Sequence, residues 1–404
     1  MINSGDTAWV MISTALVILM TPALGFFYGG MVRKKNILST IMLSVVILCL
    51  ISIQWVLYGY TLAFGPDKGG LIGGLAWVGL NHVGTAPYAA YGATIPHLAF
   101  MFFQLAFAVI TPALITGAFV ERINFAGFMV FTLLWATFIY DPVAHWMWGV
   151  GGWLRAMGAL DFAGGTVVHI TAGISALAVA YVVGNRKGFG KVPMEPSNIP
   201  LTVLGAFLLW FGWFGFNGGS ALSSGGLAIS TLVATNTAGA AAGLTWMMIS
   251  WIHKRPSVLG LATGAIVGLA AVTPASGFIN PMSAMVIGIV AATISYYAIT
   301  FRMKSGLDES LDVFACHGLG GIVGTLLLGV FAQKSINPAG ANGLLFGNPG
   351  LLGIQAFAVL VIVVFSFVVS FILAKIVDAM FSLRVREEEE VVGLDISQHG
   401  ESAY

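Results

Sequence analysis

The sequence predicts an all-α polytopic membrane protein with eleven transmembrane helices, arranged as two inverted five-helix repeats plus a final helix. Three observations carry that expectation. Only 8% of the 404 residues are charged, against about 25% in a soluble domain. Apolar residues reach 58% and mean hydropathy is +0.93. Those residues gather in stretches of roughly 20, the length that crosses a bilayer as helix. So few charges could not cover a soluble fold of this size. The 52 glycines fit the same class, since small residues let membrane helices approach closely.

Other global features exclude more than they suggest. A formal net charge of +1 gives no reason to expect nucleic acid. Cys49 and Cys316 both lie in apolar runs and read as buried thiols rather than a disulfide framework. The short polar start has no basic n-region, so the first apolar run is read as a span and not as a cleaved signal.

The eleven stretches run approximately 8–30, 37–62, 94–118, 125–145, 163–183, 199–218, 227–251, 257–275, 281–301, 311–332 and 351–380. Residues 1–380 therefore form one membrane domain. Repeat one covers about 8–183, repeat two about 199–332 and span eleven about 351–380, with a polar tail at 381–404. Charge gives the direction. Arg33, Lys34, Lys35, Arg122, Arg186, Lys187, Lys191, Lys254, Arg255, Arg302, Lys304, Lys375, Arg384 and Arg386 all fall on one side of that alternation, and only Lys68, Arg155 and Lys334 on the other. The positive-inside rule then puts the N-terminus outside and the C-terminus in the cytoplasm.

Weak internal symmetry supports the repeat. Span 1 ends in GFFYGG and span 6 contains WFGFNGG. Span 5 is preceded by Asp161 and carries His169, while span 10 is preceded by Asp312 and carries His317. Five is odd, so the second half is inverted, the arrangement that puts transporter sites between repeats. A histidine facing lipid is costly, so His169 and His317 should face a cavity or the protein interior. A helix-to-helix hydrogen bond is the plain alternative for each. Two imidazoles with no third ligand nearby make a poor metal site, so no metal or cofactor is expected. Asp161 and Asp312 could each cap the helix they precede. His97 and His145 lie near span ends and read as interfacial. The segment 141–160 holds Trp146, Trp148 and Trp153, either an interfacial aromatic belt or a vestibule offering ring faces to a cation.

Several longer motifs carry a family resemblance. They are TPALGFFYGG with RKKN at 21–36, FQLAFAVITPALITGAFVERINF at 103–125, ALDFAGGTVVHITAG at 159–173, WFGFNGGSA at 213–221, DVFACHGLGG at 312–321 and GLDISQHGESAY at 393–404. In this order the chain resembles the ammonium transporter (Amt/Mep/Rh) family, microbial Amt branch, over essentially its whole length. The resemblance implies eleven spans, an outside N-terminus and a homotrimer with one pore per subunit in the cell (plasma) membrane. It also implies a recruitment site for ammonium at Phe107, Trp148 and Ser220, a gate at Phe107 and Phe216, and pore histidines at His169 and His317. Asp161 and Asp312 would hold structure or set the local field. Phe103 and Gln104 would belong to the vestibule.

The implied function is transport, not enzymatic catalysis. Ammonium would be recruited outside and deprotonated, and ammonia would pass a hydrophobic pore, with the proton transferred separately. Methylammonium would serve as an analogue. An ammonium sensor and a pure ammonia gas channel are the rival readings. The tail would pack beneath the pore, near the docking face of a cytoplasmic PII regulatory protein.

Overall fold

The computed structural model describes all residues, 1–404. It is helical apart from one small antiparallel hairpin pairing Asp67–Lys68 with Ile72–Gly73. The main helices are α1 (Ser4–Met31), α2 (Ile37–Gln54), α3 (His97–Ile115), α4 (Phe125–Trp135) and α5 (Thr171–Val183). They continue as α6 (Ile199–Trp213), α7 (Gly226–His253), α8 (Val258–Val272), α9 (Pro281–Ser305), α10 (Gly320–Phe331) and α11 (Pro349–Phe381). Two short helices, α12 (Glu387–Val392) and α13 (Leu394–His399), form the tail.

Ten helical segments are long and apolar enough to cross a membrane, and α8 is a shorter apolar helix that makes a possible eleventh. All eleven stretches read from the sequence contain helix, but the eighth is not a simple rod. Its 15 helical residues rise about 22 Å at 1.5 Å each, less than the roughly 30 Å hydrocarbon layer. Beyond it, residues 273–280 leave the helix while Thr273, Ala275, Ser276 and Ile279 stay fully buried. Irregular backbone at such depth is tolerated where protein, not lipid, surrounds it.

Five widened π turns interrupt the spans, at Trp55–Gly59, Ala136–Tyr140, Gly165–Ile170, Phe214–Gly218 and Phe314–Leu319. Such turns concentrate at functional sites because the extra residue redirects side chains. Two of them hold His169 and His317. The helix after each packs on the other's π turn. A Cβ on Gly173 of α5 would stand 2.1 Å from the Gly318 nitrogen, and one on Gly321 of α10 would stand 2.7 Å from the Gly165 carbonyl oxygen. The four-residue step from each histidine to its glycine is the same. The two halves therefore meet backbone to backbone at the histidines.

The tail closes the face from which α2 begins. Asp395 accepts from the backbone N–H groups of Leu38 (3.1 Å) and Ser39 (2.7 Å), which satisfies free donors in the first turn of α2. Asn36 Oδ1 accepts from Leu394 N at 2.8 Å. Beneath this lies a buried ion network. Glu121 meets Arg33 at 2.9 Å and Arg186 at 2.6 Å, and Arg186 meets Asp308 at 2.7 Å. Burial alone would raise the Glu121 carboxyl, but the Arg186 charge and the Arg33 hydrogen bond outweigh it and hold Glu121 below its usual range. Asp308 behaves likewise: burial is overcome by the Arg186 hydrogen bonds and the Arg122 charge. Several arginines counted from sequence as loop charges are thus interior struts.

Candidate functional site

A cavity of about 430 Å³ opens on the face opposite the tail, lined by Gln104, Phe107, Trp148, Asp161 and Ser220 among others. Each lining residue is delivered by a different device. Gln104 and Phe107 sit on adjacent turns of α3. Trp148 ends the helical segment Asp141–Trp148, and its indole N–H donates to the Asp161 carbonyl at 2.9 Å, which fixes the ring. Arg155 donates to the Trp148 carbonyl and so holds that turn as well. Ser220 follows the π turn of α6 and donates to the Phe216 carbonyl at 2.8 Å, leaving its own oxygen lone pairs free. Gln104 Oε1 is buried and accepts no hydrogen bond from the protein.

The cavity floor is aromatic. The Phe107 and Phe216 ring centroids are 4.5 Å apart and tilted by 50°, and the Trp148 ring stands edge-on to Phe107 at 5.9 Å. Phe103 packs edge-on against Phe107 at 4.9 Å, fully buried and outside the cavity lining. Below the floor lies a separate small space of about 10 Å³ lined by His169, His317, Trp213, Phe216, Leu24 and Leu114. His169 lies nearly parallel to Phe216, at 5.8 Å and 15°. It meets His317 Nδ1 to Nδ1 at 3.3 Å, the rings 20° from parallel. One of two facing Nδ1 atoms must donate and the other accept, so the neutral pair holds opposite tautomers. His169 Nε2 has no protein partner. On the tail side a second cavity, of about 370 Å³, is lined by Cys316, Asp312, Ser310 and Trp246 among others.

Asp161 and Asp312 diverge. Asp161 accepts from the N–H groups of Gly164, Gly165, Thr166 and Val167 and from the Thr166 hydroxyl, which occupies a carboxylate fully. It caps the turn that carries His169. Asp312 caps nothing with its side chain. Its backbone is left-handed at φ 60°, which turns the carboxylate to Arg302 Nε at 2.7 Å. The capping role belongs to Glu309, fully buried, which accepts from Val313 N at 2.7 Å and Phe314 N at 3.2 Å. Glu309 precedes His317 by the same eight residues as Asp161 precedes His169, a signal present in the sequence and overlooked there. Trp213 was also missed. Its ring lies 5.6 Å from His169 and its N–H donates to Thr273 at 2.9 Å. His97 and His145 are buried within the protein: His97 bonds Tyr60 at 2.6 Å, and His145 bonds Ala63 O and Asp67, each at 2.9 Å.

Two cavities on opposite faces, with a small ring-lined space holding the histidine pair between them inside a multi-span helical bundle, are what a membrane transport protein would have. The comparisons narrow this class. The model of the Ammonium Transporter Family matches residues 8–404, so the chain belongs to the ammonium transporter family. Ammonium transporter Amt1 of Archaeoglobus fulgidus is 50% identical over 402 residues, covering 100% of both chains. The crystal structure of Candida albicans Mep2 is similar at a TM-score of 0.91 and 36% identity, over 100% of this chain and 91% of that one. A solved sensor Amt protein matches at a TM-score of 0.90 and 32% identity, covering 98% of each chain. These relatives are membrane proteins of transporter type and not enzymes.

Proposed function

We propose that the protein carries ammonium or ammonia across the cell membrane, with the N-terminus outside and the tail in the cytoplasm. The observation that supports it most is the vertical order of the site: an aromatic cavity with free acceptors, a ring-closed floor, then a buried histidine pair. Ammonium is recruited between the Phe107 and Trp148 rings, an attraction worth about 0.5–2 kcal/mol. Ser220 accepts a directional N–H bond that potassium cannot offer. Passing the Phe107/Phe216 floor strips water from the ion. Desolvation disfavours the charged form, so a proton is lost there and ammonia enters the lumen. His169 and His317 supply hydrogen bonds along the lumen and a relay for the separated proton, since imidazole both donates and accepts. The functional unit is a homotrimer, as the family resemblance implies.

The decisive experiment is current measurement on a solid-supported membrane with proteoliposomes, using ammonium, methylammonium and potassium across pH. Transient currents with ammonium and methylammonium but not potassium support the reading. Uptake without current favours an ammonia gas channel. Binding without either favours the sensor reading, which the likeness to the sensor Amt structure keeps relevant. Co-purification with a cytoplasmic PII protein, with and without nucleotide and 2-oxoglutarate, tests the tail face as its docking surface.

A further inference from the structure

One buried carboxyl takes no part in this scheme. Asp141 is fully buried inside a membrane-spanning segment, and its only side-chain partner is Gln54, whose Nε2 donates to Oδ2 at 2.8 Å. The remaining oxygens of the same two groups, Asp141 Oδ1 and Gln54 Oε1, are buried without a partner. No basic side chain bonds to Asp141. His145, one turn further on, has both ring nitrogens committed to Ala63 and Asp67. Tyr140, the neighbouring phenol, accepts and donates no bond to Asp141. An ionised carboxylate at this depth would need a cation or several donors, and leaving it bare costs several kcal/mol.

The backbone around the pair is shaped to hold it. Gln54 directly precedes the π turn Trp55–Gly59, and Asp141 directly follows the π turn Ala136–Tyr140. A Cβ on Gly59 would stand 2.5 Å from Gln54 Oε1 and 2.7 Å from Nε2, so any side chain there would push the amide out of its present place. Two widened turns on neighbouring spans and one closely approached glycine thus converge on a single side-chain contact. One proton on Asp141 would satisfy both unpaired oxygens together, since an un-ionised acid facing a primary amide closes a ring of two hydrogen bonds.

We propose that Asp141 is a proton-holding site: its carboxyl stays un-ionised in the folded protein, Oδ1–H donating to Gln54 Oε1 while Gln54 Nε2–H donates to Oδ2. This neutral clasp ties α2 to the segment Asp141–Trp148 without placing a net charge between them. The inference stands independently of whether ammonium is what the cavity takes.

Infrared difference spectroscopy on the full-length protein in liposomes at neutral pH tests it. Wild type minus Asp141→Asn should show a carboxylic acid carbonyl band, lost in the variant and shifted down in D2O. Loss of carboxylate stretching bands instead would overturn the proposal. Asn is isosteric with the un-ionised acid and should keep the thermal midpoint, whereas Asp141→Val should lower it. If Asp141→Asn does not fold, Gln54→Leu reads the same contact. The acid band should then move up in frequency as its hydrogen bonds are lost, and an unmoved band would rule out the clasp.

Discussion

Glu309 stands to His317 as Asp161 stands to His169: eight residues before the imidazole, buried, with its carboxylate turned onto the N–H groups of the following turn. Each histidine is therefore held by an acid that never touches it. Glu309→Ala should destabilise the protein by about 1–3 kcal/mol, because the donors it satisfies are buried. Asp312→Ala, which releases only a partly exposed pairing with Arg302, should cost less. Thermal unfolding of both variants in detergent checks the order. Equal losses would remove Glu309 from the capping role.

The Nδ1-to-Nδ1 contact of 3.3 Å makes the two histidines interdependent. His169→Ala leaves His317 Nδ1 without its partner, and His317→Ala does the same to His169. Each should leave a folded protein and lose most ammonium-specific current, at a stability cost of about 1–3 kcal/mol. Unchanged current and selectivity in both variants would eliminate the relay.

Phe216 closes the floor and covers the face of His169. Phe216→Ala removes one ring from each relationship and should cost about 3–5 kcal/mol as a buried aromatic truncation. It should also admit water, so potassium current should rise relative to ammonium current. Ion-substitution recordings measure that ratio directly.

Trp148→Leu removes a ring face from the outer cavity and the indole bond to the Asp161 carbonyl. Apparent affinity for methylammonium should fall roughly two- to thirtyfold, the factor corresponding to a cation–π contribution of about 0.5–2 kcal/mol. An unaltered concentration dependence would take Trp148 out of recruitment.

The ion network under the tail gives a pH prediction. Glu121 and Asp308 are held below their ordinary values of 4.5 and 3.8. Carboxyls lowered by folding contribute stability that is fully present above those values and is lost as pH falls through the lowered ones. Arg186→Ala leaves both buried acids short of a partner and should cost about 3–5 kcal/mol at neutral pH. The deficit should shrink in acid below about pH 4, where protonation removes the uncompensated charge. Thermal midpoints of wild type and variant across pH report the difference.

Much of this was legible in the sequence because a bilayer demands long apolar segments and punishes isolated polar ones. Helix positions and the two histidines followed from that rule alone. The shortness of α8 did not, since 257–275 reads as one apolar span while its helix ends at Val272 and the buried residues 273–280 turn away from it. Glu309 was passed over for Asp312 because proximity to the span was weighed above spacing from the histidine. Arg122 and Arg186 were counted as loop charges because their partners lie far away in sequence, as Arg122 and Ser310 do at separation 188. Long-range pairing leaves no local periodicity to read.

Gly173 and Gly321 allow no side chain between the two halves at the histidines. Any tilt of one half against the other would either drive backbone into backbone or pull both contacts apart at once. On the proposed route, flow that preserves these contacts calls for the buried Phe107 and Phe216 rings to swing on their χ angles rather than for whole helices to move. A route of that kind would need no alternation between inward- and outward-facing forms, and its throughput would be set by how often two phenylalanines yield.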